Sequence, residues 1–151
     1  MTRVGIVQLC SGADKLANFN IYSKFIIQAA AKKCKVAFLP EAFDFIGTSS
    51  KETFSLAEPL NGELVTKLKD IARENKIWLS LGGYHQKLDE KVANTHVLID
   101  SNGEVVQTYD KVHLFDAPLV GLEESKYVEG LDSSYTLLGY NSQHKTTFLS
   151  M

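Results

Sequence analysis

Two short runs in this chain are apolar on both of their alternating faces. In residues 3–9, Val4 and Ile6 fall on one face and Val7 and Leu9 on the other; residues 77–81 read Ile-Trp-Leu-Ser-Leu. A strand with this pattern needs cover on both sides of its sheet, which is the habit of strands in α/β proteins. Helical patterns lie between the runs. Asp14 stands where it can cap a helix, and Tyr22, Phe25, Ile26, Ala29 and Ala30 then recur at helical spacing. Asn61-Gly62 opens a second helix, with Leu64, Val65, Leu68, Ile71 and Ala72 as its apolar stripe. Lys32, Lys33 and Lys35 crowd the end of the first, where positive charge suits the helix dipole.

Between the two helices, Val36-Ala37-Phe38-Leu39 reads as another buried strand. Pro40 has no N–H to give a sheet ladder, so the strand is expected to stop there. Glu41 then stands at the strand's carboxyl end, the edge where ligands and catalytic groups collect in open α/β sheets. With Phe38 and Phe43 on either side, its carboxylate is expected to be partly desolvated and its pKa raised towards that of a general base. The plainer reading is a strand-end acid sitting in water.

The remaining pattern completes a mixed sheet. Residues 44–60 read as a long connection containing Gly47 and Pro59, of the length often found at a functional edge. Gly82-Gly83 is expected to end the third strand, and no dinucleotide or Walker phosphate motif surrounds it. A charged turn follows at 87–91. Strands at 95–99 and 105–109 then flank Ser101-Asn102-Gly103 as a hairpin. The order βαβαββ predicts an α/β fold. Lys111 follows the last strand much as Glu41 follows the second. An ammonium beside a carboxylate would sit where an oxyanion develops; the alternative is a surface pair with Asp110, worth little.

Composition narrows the partners. A length of 151 residues suits one domain, and the net charge is −2 without a long basic run, which argues against nucleic acid. No stretch approaches the ~18 apolar residues of a membrane span. The N-terminus shows no signal-peptide organisation. Cys10 and Cys34 make no disulfide framework, so a reducing, cytoplasmic setting is expected, with mitochondrial import also compatible. His85, His96, His113 and His144 are isolated from one another, so no metal site is expected. Residues 133–138 form one more candidate strand, and 141–147 show no periodicity.

Four pieces of sequence resemble the nitrilase (carbon–nitrogen hydrolase) superfamily. They are Val4-Gly5-Ile6-Val7-Gln8-Leu9; Leu39-Pro40-Glu41-Ala42-Phe43; Asn94-Thr95 with Asn102-Gly103-Glu104; and Tyr109-Asp110-Lys111-Val112-His113-Leu114-Phe115-Asp116. Their order and spacing together are specific. Glu41-Ala42-Phe43-Asp44-Phe45-Ile46 and Trp78-Leu79-Ser80-Leu81-Gly82-Gly83-Tyr84-His85 look most like the deaminated glutathione amidase branch. The resemblance implies the N-terminal half of an α-β-β-α sandwich, a mixed sheet with helices on one face. It divides the chain into a partial carbon–nitrogen hydrolase domain at 1–130 and an atypical tail at 131–151.

The same resemblance implies chemistry. Glu41 would be the general base of a Cys-Glu-Lys triad, Lys111 the oxyanion-stabilising cation, and Glu124 of Glu124-Ser125 a second glutamate that positions the site. The substrate would be a small linear amide such as deaminated glutathione, and no cofactor is implied. The family's nucleophile stands in a Cys-Tyr-Asp-x-Arg-Phe-Pro-like motif, and no cysteine follows Cys34 here. Without it no acyl-enzyme can form. Cys34 falls among lysines at a helix end, which favours thiolate, and Cys10 follows the first strand towards Glu41's edge. Free cysteines are more often small buried apolar residues. The expectation is a truncated, inactive form of an amidase. The alternative is a non-catalytic fragment that binds or regulates full-length subunits. Strands apolar on both faces, with helices enough for one, also predict self-association or a homo-oligomer.

Overall fold

The structure, a computed structural model, describes residues 1–117 together with 122–123, 125, 140–141 and 146–147. Its centre is a five-stranded sheet of β1 (Val4–Ile6), β2 (Val36–Glu41), β3 (Trp78–Lys87), β4 (Val92–Ile99) and β5 (Val105–Asp110), in that spatial order. β1, β2 and β3 run parallel; β3–β4 and β4–β5 are antiparallel. The expected mixed α/β sheet is therefore present. Three α-helices accompany it among the described residues: α1 (Lys15–Ala31), α2 (Ser50–Leu56) and α3 (Glu63–Asn75).

α1 begins where its sequence says it should, because the Asp14 side chain accepts a hydrogen bond from the Ala17 N–H at 2.9 Å. It buries Asn18, Tyr22, Ile26 and Ala29. Phe25, expected in the stripe, remains 41% exposed at the margin of the contact. α3 follows Gly62 and buries Leu64, Val65, Leu68 and Ala72. Both helices pack on one face of the sheet, against Ala37, Leu39, Leu79, Leu81, Val97 and Ile99. Fully burying each of the leucine, valine and isoleucine side chains among these contributes roughly 1.5–3 kcal/mol. Close approach of α1 explains Gly5, where a β-carbon would lie 2.9 Å from the Ala29 β-carbon.

Gly5 and Val7 thus face the helices, and Val4 and Ile6 face the other way. On that second face Val36, Phe38 and Trp78 are half-buried, Val4 is 48% exposed and Ile6 83% exposed. Among the described residues β1 is paired only with β2.

Three local expectations are corrected. Pro40 does not end β2. The ladder to β3 pairs Leu39 with Leu81 and then Glu41 with Gly83, passing over the residue that lacks an N–H. Gly82-Gly83 accordingly lies inside β3, which continues to Lys87 beside β4, with a register irregularity between Leu81 and Tyr84. The 44–60 connection is not wholly irregular. It contains α2, whose Ser49 cap accepts the Glu52 N–H at 3.2 Å. Two short antiparallel ladders, Asp116–Ala117 with Leu122–Glu123 and Tyr140–Asn141 with Thr146–Thr147, complete what is described. The candidate strand at 133–138 and the side chain of Glu124 lie outside the described residues.

Candidate active site

The carboxyl end of β2 is turned sharply. Ala42 adopts a left-handed conformation, φ 52°, and its N–H donates to the Gly83 carbonyl at 2.9 Å. That conformation costs a non-glycine residue about 1–2 kcal/mol, so the surrounding ladder must hold it. The turn separates Glu41 from the residues after it. Phe43, Asp44 and Phe45 go into the interior, at 0%, 1% and 0% exposure, while Glu41 remains on the rim.

Glu41 meets Lys111 there. Lys111 Nζ donates to Glu41 Oε1 at 2.9 Å, and Asn94 Nδ2 donates to the same oxygen at 2.6 Å. Lys111 also donates its backbone N–H to the Asn94 carbonyl at 2.8 Å. The pairing of Lys111 with Asp110, weighed from sequence, is not what forms. Asp110 instead accepts from the Thr95 hydroxyl across the β4–β5 ladder. Gly83 permits the approach, since a β-carbon there would come 2.8 Å from both Glu41 Cγ and Asn94 Oδ1.

The expected desolvation of Glu41 is corrected. Its side chain is 56% exposed and that of Lys111 30% exposed. Phe43 points into the core and Phe38 lies on the opposite sheet face, so neither aromatic covers the carboxylate. Chemically the arrangement is a carboxylate with one oxygen engaged by a cation and an amide, beside the ammonium that could meet a developing oxyanion.

Neither cysteine belongs to this pair. Cys34 is buried between α1 and β1, within 3.8 Å of a β-carbon placed at Gly5. Cys10 is exposed beyond β1. The next residues run beside the segment after Glu41: Ser11 Oγ donates to the Phe43 carbonyl at 3.5 Å and Ile46 N–H to Gly12 at 3.0 Å. No hydrogen bond links Cys10 to Glu41 or Lys111 among the described residues. Nor does any group of three metal-ligating side chains occur among them. His113 is exposed.

A second polar cluster joins Asp44 and His85, residues of the two segments quoted for the resemblance but given no role there. Asp44 accepts from Phe45 N–H and His85 N–H, each at 3.0 Å, and its Oδ1 lies 2.9 Å from His85 Nδ1. The His85 ring stacks on Phe45 at 4.4 Å. Nearby, Lys15 pairs with Glu58, whose carboxylate also accepts the Leu64 N–H at 3.0 Å. Burial pushes the Glu58 carboxyl up, but the Lys15 and Leu64 hydrogen bonds outweigh it and hold the group below its ordinary range. Tyr84 donates to the Glu58 carbonyl at 2.9 Å.

With this geometry in hand, the fold and the Glu-Lys edge define a class. Residues 3–140 match the carbon–nitrogen hydrolase family model, and the chain belongs to that family. It is 42% identical to mouse deaminated glutathione amidase over 134 residues, which cover 83% of this chain and 42% of that protein. It is 39% identical over 127 residues to the Drosophila melanogaster nitrilase and fragile histidine triad fusion protein, covering 83% of this chain and 28% of that one. The crystal structure of the C. elegans NitFhit protein superimposes with a TM-score of 0.78 at 37% identity, over 87% of this chain and 34% of that one. The chain thus spans less than half the length of these relatives. No helix among the described residues is long and apolar enough to cross a membrane.

Proposed function

We propose that this chain carries the general-base and oxyanion half of an amidase site. Glu41 takes the proton of a thiol nucleophile, the thiolate attacks an amide carbonyl, and Lys111 stabilises the tetrahedral oxyanion. Glu124 would be the second glutamate that positions the site. The substrate class is a small linear amide, and the relatives' name points to deaminated glutathione. The observation that carries the reading is the 2.9 Å contact between Lys111 Nζ and Glu41 Oε1 at the end of β2. Cys10 and Cys34 do not supply the nucleophile, so the 151 residues alone are expected to be inactive. The partial family domain is read as 1–130 and the tail as 131–151, with the family match running on to residue 140 and so into the first part of that tail; the setting is read as cytoplasmic or mitochondrial.

The test is a chimera in which residues 1–117 replace the matching part of mouse deaminated glutathione amidase. Ammonia release from deaminated glutathione should survive in the chimera and fall at least a hundredfold with Glu41→Gln or Lys111→Met. A folded chimera whose turnover ignores both substitutions would overturn the reading.

A second reading is favoured by one observation. Ile6 and Val4 are exposed on a strand with one described neighbour, which suits a non-catalytic fragment that binds full-length subunits or itself. Mixing the chain with active amidase separates the two. Co-elution with inhibition supports the regulator, and independent elution with unchanged turnover removes it.

A further inference from the structure

We propose that Asn94 is a positioning residue of the Glu41–Lys111 site, fixing the carboxylate through one oxygen and the lysine through its backbone. The proposal deepens the amidase reading and rests on it for its catalytic meaning. Asn94 makes two hydrogen bonds to the pair and stands close against Gly83. Its Nδ2 donates to Glu41 Oε1 at 2.6 Å. Its backbone carbonyl accepts the Lys111 N–H at 2.8 Å, which sets where the lysine stem leaves β5. Its Oδ1 faces Gly83, where a β-carbon would intrude to 2.8 Å. No other side chain on the described rim is tied to both members of the pair.

The consequence is an asymmetric carboxylate. Oε1 accepts from Asn94 and from Lys111, so its two lone-pair positions are engaged. Neither of these two bonds uses Oε2. In the amidase step the thiol S–H bond breaks, its proton passes to Oε2, and the sulfur keeps the electron pair. The neighbouring acids are committed elsewhere: Asp110 accepts from Thr95, and Asp44 is held by His85. Lys111 is the cation facing Glu41.

The test uses the whole 151-residue chain and reads the Glu41 carboxyl carbon and the Asn94 side-chain amide by NMR at one fixed pH. Asn94→Ser should shift the Glu41 carboxyl signal. Glu41→Gln should shift the Asn94 side-chain amide signals, a measurement that survives even if Asn94→Ser fails to fold. In an active chimera Asn94→Ser should lower kcat about tenfold or more with KM little changed, as loss of positioning does. A Glu41 carboxyl signal unmoved in folded Asn94→Ser, Asn94 amide signals unmoved in folded Glu41→Gln, or an unchanged kcat would overturn the proposal. The NMR results do not depend on turnover. An inactive chimera would sink the amidase reading alone, and unmoved signals would sink the Asn94 role alone.

Discussion

Glu41 Oε1 and Lys111 Nζ, seventy positions apart in sequence, lie 2.9 Å apart at the rim of the sheet. Both side chains are substantially exposed, and exposed pairs of this kind contribute about 0–1 kcal/mol. Glu41→Gln should therefore change the unfolding free energy by less than about 1 kcal/mol. Urea titration followed by circular dichroism checks this. A loss several times larger would mean that the pair is structural and that its placement at the edge is incidental to chemistry.

Gly83 should be intolerant of any side chain. A methyl group there would meet Glu41 Cγ and Asn94 Oδ1 at 2.8 Å, and Glu41 Cα at 3.2 Å. Gly83→Ala should cost about 1–3 kcal/mol, as overpacking does, and should move the Glu41 and Asn94 resonances. An alanine variant with unaltered stability and spectra would show that β3 and β2 stand farther apart than described.

Tyr22 offers a substitution expected to help. Its ring is fully buried and meets Phe43 edge-on at 5.3 Å, yet its hydroxyl has no hydrogen-bond partner among the described residues. Burial, with Asp44 and Tyr84 nearby, pushes its ionisation well above the ordinary tyrosine range. A buried hydroxyl left unpaired costs about 1–3 kcal/mol. Tyr22→Phe keeps the ring and removes the cost, so the thermal midpoint should rise. A fall of several degrees would reveal a bonded hydroxyl.

Acid should destabilise the chain in two stages. Burial beside Ser80 holds His96 below its ordinary value of 6.5. Its contribution is complete above that value and declines as pH falls from 6.5 towards the lowered folded value, because the unfolded chain binds the proton first. Glu58, held below its ordinary 4.5, contributes fully above 4.5 and loses that contribution as pH falls through its lower folded value. Stability measured from pH 8 to 3 should show both declines. His96→Gln should flatten the upper one and Glu58→Gln the lower. A variant that leaves its own stage unchanged would remove that residue from the acid response.

Sedimentation offers a check on the second sheet face. Trp78 is half-buried on the face that carries Val4, Val36 and Phe38. If that face mediates self-association, Ile6→Lys should shift sedimentation towards the monomer with little change in stability, since Ile6 is 83% exposed. Unchanged sedimentation would place any association elsewhere.

Local chemistry by itself determined α1 and α3, most of the strands and the class of fold, and it left α2 unread inside the 44–60 connection. The Asp14 cap, the stripes of α1 and α3 and the double-faced apolar strands need only neighbouring residues to be read. Glu41 and Lys111 were legible for the same reason, as polar residues directly after strand runs. Tertiary structure decided the rest, because each remaining feature depends on residues distant in sequence. β2 runs past Pro40 because β3 supplies a partner on each side of the missing N–H. Glu41 stays in water because the left-handed turn at Ala42 sends Phe43 inward without it. Lys111 chooses Glu41 over its neighbour Asp110 because β4 brings Asn94 and Thr95 between them. Asn94 stands in the sequence only as part of the Asn94-Thr95 resemblance, which gave it no role. A side-chain amide becomes a positioning group only when the register of three strands sets a carboxylate within hydrogen-bonding reach.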